Sequence, residues 1–501
     1  MEEDNRHPTA LNPERGGGHR YRTSMTLPAS AAEHVEAGWD ELLPVLVEFV
    51  RIPNVSESFD AQWREHGHMQ EAVDLISGWC RGRHIDGATV DVHELPGRTP
   101  VIVVVVPAVG EPSGRGGQTE DDTVLLYGHL DKQPEMEGWR EGLGPWTPVI
   151  EGDRLYGRGG ADDGYAVFAS LTAIEAVRAA GGSHARCVVL IEASEESGSP
   201  DLPAHVDALA EIIGTPSLVV CLDSGCLDYD RLWVTTSLRG ILVADVTVAI
   251  VTEGLHSGDV SGMVPSSFRI SRMLLSRIED EASGRVLLPS CTVEIPGERI
   301  HQAQATAREI GNLADQYPFV EGARPATEDG AEQLLARTWR SALSVVGAAG
   351  LPPTERAGNV LRPSTTLKLS LRIPPTADAS QVTDELVERL TTDVPYGAHV
   401  TVAMHGNADG WHAPTTEPWL LDALEVASNA AFGAPSRMFG EGGSIPFMGM
   451  LGARFPDAQF VVTGALGPDA NAHGPNEYLH LPTARKITLA VSELLNAHAL
   501  R

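Results

Sequence analysis

The stretch VVLIEASEES, residues 188–197, decides the fold. Val188 to Ile191 run without polar alternation, as a strand covered on both faces does. Two acids, Glu195 and Glu196, follow at once. VLLYGHLD (124–131) repeats the arrangement and leaves His129 and Asp131 beyond its run, while LVVCLDSG (218–225) leaves Asp223. Val101–Val106 is a further apolar run, and the amphipathic segments Tyr165–Ala179 and Pro203–Ile213 separate the later strands. Strands alternating with helices predict an α/β sheet covered by helices. In such sheets the binding crevice lies beyond the carboxyl ends of the strands, where these polar residues sit.

The rest of the chain extends this pattern. Val35, Trp39, Leu42, Leu43, Leu46 and Val50 recur at helical spacing in Ala31–Arg51, with Pro44 a point of possible kinking. GEPSGRGGQ (110–118) reads as an exposed loop; no Gly-Lys-Ser/Thr follows its glycines, so it is not a phosphate cradle. From about Gly240 the character changes. GILVADVTVAIVT alternates like a half-buried strand, Ser266–Glu279 and Ala331–Val346 are helical patterns, STTLKLSLRI (364–373) alternates again, SQVTDELVERL is helical, and HVTVAM (399–404) is a strand. The order strand-helix-helix-strand-helix-strand predicts an inserted α+β domain. After the polar stretch His405–Thr416 the α/β pattern returns, with a helix at Trp419–Phe432, a strand at Gln459–Thr463 and a last helix from about Pro482. The expected architecture is a discontinuous α/β catalytic domain (25–238 and 409–501) with a mixed, mainly parallel sheet. The α+β insert spans 239–408, and residues 1–24 are expected to be a flexible tail.

Composition bounds the function. The chain has 501 residues, 42% hydrophobic and 21% charged, enough for two domains. Its formal net charge of -31 argues against nucleic acid or an anionic membrane as partner. Five cysteines (80, 187, 221, 226, 291), odd in number and irregularly spaced, do not make a disulfide framework. The first residues lack the apolar segment of a signal peptide, and the default expectation is a cytoplasmic protein.

Imidazole and carboxylate together suit zinc, manganese or cobalt better than calcium. QFVVTGALGPDANAHG (459–474) adds His473 to the set, and LYGRGGADDG (155–164) adds Asp162. If Asp162 bridges two ions, His129 with Asp223 completes one site and Glu196 with His473 the other. Two such ions, ~4 Å apart, would polarise a carbonyl and acidify a shared water. Glu195 is then left to move protons, and Asp131 is placed to accept the second ring N–H of His129. Singly each signal is weak; the ordered set is specific.

GHLD, LYGRGGADDG, EASEESGS, CLDSG and AHGPNE, in that order, resemble the five metal-site motifs of the carnosinase-like di-metal peptidases. These are relatives of cytosolic non-specific dipeptidase, glutamate carboxypeptidase, acetylornithine deacetylase and succinyl-diaminopimelate desuccinylase. The resemblance covers nearly everything after residue 24. It implies His129, Asp162, Glu196, Asp223 and His473 as ligands of two divalent ions (zinc foremost), Asp131 as orienting carboxylate and Glu195 as base. It also implies that the insert is a lid through which the chain forms a homodimer. His256 of LHSG would then reach across the dimer to the oxyanion, Arg372 of LSLRIPP would clamp a substrate carboxylate, and Asn359, His405, Gly443 and Ser444 would touch substrate. The implied activity is hydrolysis of a small peptide with a free carboxylate. Deacylation or desuccinylation of an N-acyl amino acid is the alternative, and a non-catalytic binding protein a distant one. Two places depart from the family pattern: Gly164 stands where relatives carry lysine, and Lys132 where they often carry a small apolar residue.

Overall fold

The computed structural model describes residues 26–110 and 122–501. The expected tail, residues 1–24, and most of the loop 110–118 lie outside the described residues.

The central sheet runs in the order Thr89–His93, Val101–Val106, Arg186–Glu192, Asp122–His129, Thr215–Cys221, Gln459–Val462, Trp233–Leu238, Trp411–His412, with Arg437–Glu441 also paired to Trp233–Leu238. Its middle four strands are mutually parallel, and antiparallel pairs flank them. The apolar runs are explained by burial on both faces. Ile102, Val104 and Val106 pack into one core with Val124 and Leu126, while Val101 and Val103 pack into another with Leu125 and Tyr127. The first core is roofed by helices Ser30–Arg51, Ala166–Ala179, Pro418–Phe432 and Leu481–Ala499. The second is roofed by Leu202–Ala208 and Pro446–Arg454. Helix Ser30–Arg51 continues through Pro44, with Trp39, Leu42, Leu46 and Phe49 fully buried.

The insert is a four-stranded antiparallel sheet, ordered Ala342–Ala349, Ser364–Ile373, Gly240–Ala249, His399–Ala408. Strict alternation of burial along Gly240–Ala249 and Ser364–Ile373 places one face on helices Ser267–Leu275 and Ala379–Thr391. Two sequence expectations need correction here. The predicted helix Ala331–Val346 ends at Thr338, and Ala342–Ala349 is a strand, because ALSVVGAA pairs along Ser364–Ile373. Helix Gly297–Ile310 was absent from the expected order; it buries only Arg299, Ala303 and Thr306, too little apolar surface for a periodic signal. Its neighbours are not the insert's sheet. With Gly330–Thr338 it packs on Trp233 and Phe439 of the central sheet.

The last helix also anchors the first described residues: the backbone N–H of Leu27 donates to both carboxylate oxygens of Glu493, at 3.2 and 2.9 Å. Burial pushes the Glu493 carboxyl up to about 7, outweighing the Leu27 N–H. Because the folded value lies above the unfolded one, this stability is present below the ordinary carboxylate range and is lost as pH rises through about 7. Glu493→Gln should therefore gain thermal stability relative to the native protein between pH 5.5 and 8.5; a difference constant with pH in unfolding midpoints would contradict this.

Candidate metal centre

The four parallel strands end at one edge, and the polar residues collect there. His129 is the last residue of its strand; Glu195 and Glu196 lie three and four residues beyond Glu192; Asp223 lies two beyond Cys221. Asp162 comes from the turn before helix Ala166–Ala179, where its peptide to Asp163 is cis. His473 comes from the loop after Gln459–Val462, at φ +63°. Asp469, Asn471 and Asn476 of that loop also adopt positive φ, a conformation Asn, Asp and His tolerate better than most residues.

Asp162 stands between the two histidines. Its Oδ1 lies 3.2 Å from His129 Nε2, and its Oδ2 lies 3.0 Å from His473 Nε2. Asp223 Oδ2 is 3.7 Å from His129 Nε2, and Glu196 Oε2 is 3.3 Å from His473 Nε2. Two ligand groups result, His129–Asp162–Asp223 and Asp162–Glu196–His473, and they share Asp162.

The electrostatics fit cations. Burial, then the neighbouring Asp162, push Glu196 up to about 8; burial raises Asp223; burial and Asp223 hold Glu195 well above its usual range. Against the opposite pull of burial, Asp223 raises His129, and Asp162 with Glu196 pushes His473 up to about 9. Too many buried carboxylates thus share too little positive charge. Glu196 Oε1 and both Asp163 oxygens are buried without a hydrogen-bond partner. A divalent ion would supply the missing charge and take the place of the histidine protons. Oxygen and imidazole donors fit zinc, manganese or cobalt.

Asp131 is the organiser of this edge. It is fully buried; its Oδ1 accepts from the Glu195 N–H at 3.1 Å and its Oδ2 from the Glu196 N–H at 3.0 Å. His129 Nδ1 lies 3.1 Å from its carbonyl and 3.5 Å from its Oδ1. One carboxylate thereby fixes the turn that carries both glutamates and abuts the ring of His129.

Further supports had only indirect signals in the sequence. Glu477 and Arg158, buried and paired, tie the His473 loop to the Asp162 turn; Glu477 also accepts from the Gly159 N–H at 2.8 Å, and Arg158 donates to the Gly474 carbonyl at 3.0 Å. Both lie inside quoted motifs, so a charged residue within a motif was the available signal. Gln133 Nε2 donates to Glu196 Oε2 at 2.6 Å. Glu192, pushed up to about 7 by burial and Asp131, accepts from Tyr127, Ser194 and Ser199 behind the site. Nothing in the sequence marked these contacts.

The two departures from the family pattern meet at one place. A Cβ on Gly164 would lie 2.2 Å from Phe49 Cε1 and 2.5 Å from the Gly159 carbonyl, so no side chain fits there. Lys132, fully buried, runs over Gly159 and donates to the carbonyls of Phe49 and Ile52, both at 2.7 Å. Lys132 Nζ therefore lies at the end of helix Ser30–Arg51, where burial holds it well below the usual lysine range.

The lid candidates separate into two groups. Arg372 Nη1 donates to Ser444 Oγ at 3.0 Å, next to Gly443, so these three candidates lie together. His256 and Asn359 adjoin each other instead, through the Ser257 N–H to the Asn359 carbonyl at 2.9 Å; His256 is exposed and lies 3.7 Å from Asp259. His405 lies in the strand His399–Ala408, 2.9 Å from Asp245. None of these three is in hydrogen-bond or ion-pair contact with the metal centre among the described residues.

An α/β sheet with a carboxylate-bridged pair of ligand groups at its edge is the arrangement of a metal-dependent hydrolase. Residues 125–497 match peptidase family M20/M25/M40, and the chain belongs to that family. It is 28% identical over 396 residues to a cysteinylglycine-S-conjugate dipeptidase of Corynebacterium striatum, covering 77% of this chain and 82% of that one. It is 25% identical over 433 residues to the human Beta-Ala-His dipeptidase, covering 84% of this chain and 82% of that one. The solved structure of the di-peptidase Dug1p from Saccharomyces cerevisiae superposes with a TM-score of 0.73 at 20% identity, covering 94% of this chain and 98% of that one. In the membrane respect, no helix among the described residues is long and apolar enough to cross a bilayer.

Asp131→Asn keeps the shape but leaves one oxygen to accept where two did. It should weaken binding of divalent ions about 10–100-fold, measured by competition with a chromophoric chelator. Unchanged affinity would remove Asp131 from its organising role.

Proposed function

We propose that this protein is a dipeptidase-type metallopeptidase that hydrolyses the amide bond of small peptides bearing a free carboxylate. The observation that carries this reading is the division of Asp162 between His129 and His473, with Glu195 next to Glu196 but outside both ligand groups. His129, Asp162 and Asp223 would hold one ion, and Asp162, Glu196 and His473 the other. When bound, two divalent ions polarise the scissile carbonyl and make water a nucleophile at neutral pH.

The protein's own residues do the rest. Glu195 accepts a proton from the attacking water as the water oxygen bonds to the carbonyl carbon. It returns that proton to the leaving nitrogen as the C–N bond breaks, a two-way transfer open to a carboxylate that is left off both ligand groups. Asp131 holds the Glu195 N–H, so the base sits on a fixed turn. Arg372 and Ser444 take the substrate carboxylate. His256, exposed on the lid, stabilises the oxyanion from the second subunit of a dimer joined through residues 239–408. The catalytic part comprises 25–238 and 409–501, and the protein acts in the cytoplasm with zinc foremost, or with manganese or cobalt.

Glu195→Gln tests the assignment. Loss of a positioned general base costs roughly 10²–10⁴-fold, so the variant should bind both ions and lose dipeptide hydrolysis by that factor. Full activity with both ions bound would contradict the mechanism. Turnover of acetyl- or succinyl-amino acids alone would replace the dipeptidase reading by the deacylase one.

A further inference from the structure

The turn that carries Glu195 and Glu196 is held by two carboxylates. Asp131 takes its middle, through the N–H groups of both glutamates. Its two ends meet Glu192. Ser194 Oγ donates to Glu192 Oε2 at 3.1 Å, and Ser199 Oγ donates to Glu192 Oε1 at 2.9 Å. Between these residues the backbone closes on itself: the Ser197 and Ser199 N–H groups donate to the Ser194 carbonyl at 3.1 and 2.9 Å. Ser199 reaches this position at φ +53°, a left-handed conformation that serine seldom adopts. Ser197 Oγ meets Ser56 Oγ at 2.5 Å and the Ser58 N–H at 3.0 Å, contacts with residues outside the sheet. Glu192 is therefore what ties both ends of the turn to a strand.

Glu192 also stands where the strand calls for an apolar residue. It ends Arg186–Glu192, and Val188 and Leu190, at the same alternation, pack into the second core with Leu125 and Tyr127. The buried carboxylate that replaces them accepts a third hydroxyl, that of Tyr127. The Tyr127 ring in turn lies against Phe447, with centroids 3.8 Å apart, in the first turn of helix Pro446–Arg454. The clamp is thus anchored in the core rather than in the loop it holds. Three hydroxyl partners make a buried carboxylate tolerable, but a buried charge adds little stability over a well-packed apolar side chain. Stability alone leaves this glutamate without a reason.

We propose that Glu192 is a positioning residue for the general base: by holding Ser194 and Ser199 it fixes the orientation in which Glu195 meets the water and the leaving nitrogen. The inference rests on the reading of Glu195 as base and extends it. Glu192 belongs to neither ligand group, and Arg372 with Ser444 lies elsewhere, so it acts through the turn alone. A base displaced by about 1 Å costs up to about 100-fold in rate, and the loss falls on kcat because Glu195 has no part in holding the substrate.

The test is a double-mutant cycle at saturating metal with a dipeptide substrate. Glu192→Gln should lower kcat about 10–100-fold with KM little changed, and Ser199→Ala should do the same to a smaller extent. In a Glu195→Gln background the same changes should cost almost nothing more, because they act through a side chain already removed. Equal losses in both backgrounds, or a loss confined to KM, would overturn the inference and leave Glu192 a residue of the fold only. Hydrogen exchange gives a second readout without turnover. Amides of residues 194–199 should exchange faster in Glu192→Gln than in the native protein, while strand Asp122–His129 keeps its protection; unchanged exchange in the turn rejects the clamp. Ser199→Ala, which leaves the carboxylate two hydroxyls, carries both measurements should Glu192→Gln not fold. Absence of dipeptide hydrolysis in the native protein strikes the dipeptidase reading alone, since the cycle then runs on an acyl-amino acid and the exchange measurement needs no substrate.

Discussion

One carboxylate facing two imidazoles is the constraint on which the site depends. Asp162 presents Oδ1 to His129 and Oδ2 to His473, residues 344 positions apart in sequence (473 − 129). The glycine-rich turn that delivers Asp162 must therefore meet both the end of an internal strand and a loop from near the end of the chain. Buried anions crowd this place, and only cations make the crowding tolerable. Charge balance and chain topology are thus one problem here.

The solution is a second set of polar residues behind the first. Asp131 grips the Glu195–Glu196 turn through two N–H groups, and Glu477 with Arg158 holds the His473 loop against the Asp162 turn. Lys132 fastens the segment after His129 to the end of helix Ser30–Arg51. Asp131, Glu477 and Arg158 are buried with polar partners, the condition under which buried charge is tolerated; Lys132, which burial holds well below its usual range, meets two carbonyls. The apolar cores on either face of the sheet fix the strands; these residues fix the loops.

Much of this was legible in the sequence, for identifiable reasons. Strands buried on both faces read as continuous apolar runs, so 124–127, 188–191 and 218–222 stood out, and the candidate ligands beyond them did too. Local spacing also exposed Glu195 beside Glu196. The limits were tertiary. Ala342–Ala349 continued a helical pattern until pairing with Ser364–Ile373 made it a strand. Helix Gly297–Ile310 was hidden because it buries little apolar surface, and the grip of Asp131 on two backbone N–H groups could not be read from spacing. Lys132 and Gly164 looked like separate departures, and Phe49 and Gly159, which adjoin both, join the two.

The insert brings Arg372 to Ser444 and leaves His256 exposed, so a single chain brings together both candidate ligand groups and the Arg372–Ser444 pair. The central claim is the shared carboxylate. Anomalous diffraction from crystals grown with zinc or manganese tests it most directly. The account predicts two peaks per chain, one among His129, Asp162 and Asp223 and the other among Asp162, Glu196 and His473, with Asp162 ligating both. A single peak, or two peaks of which Asp162 touches only one, would contradict it.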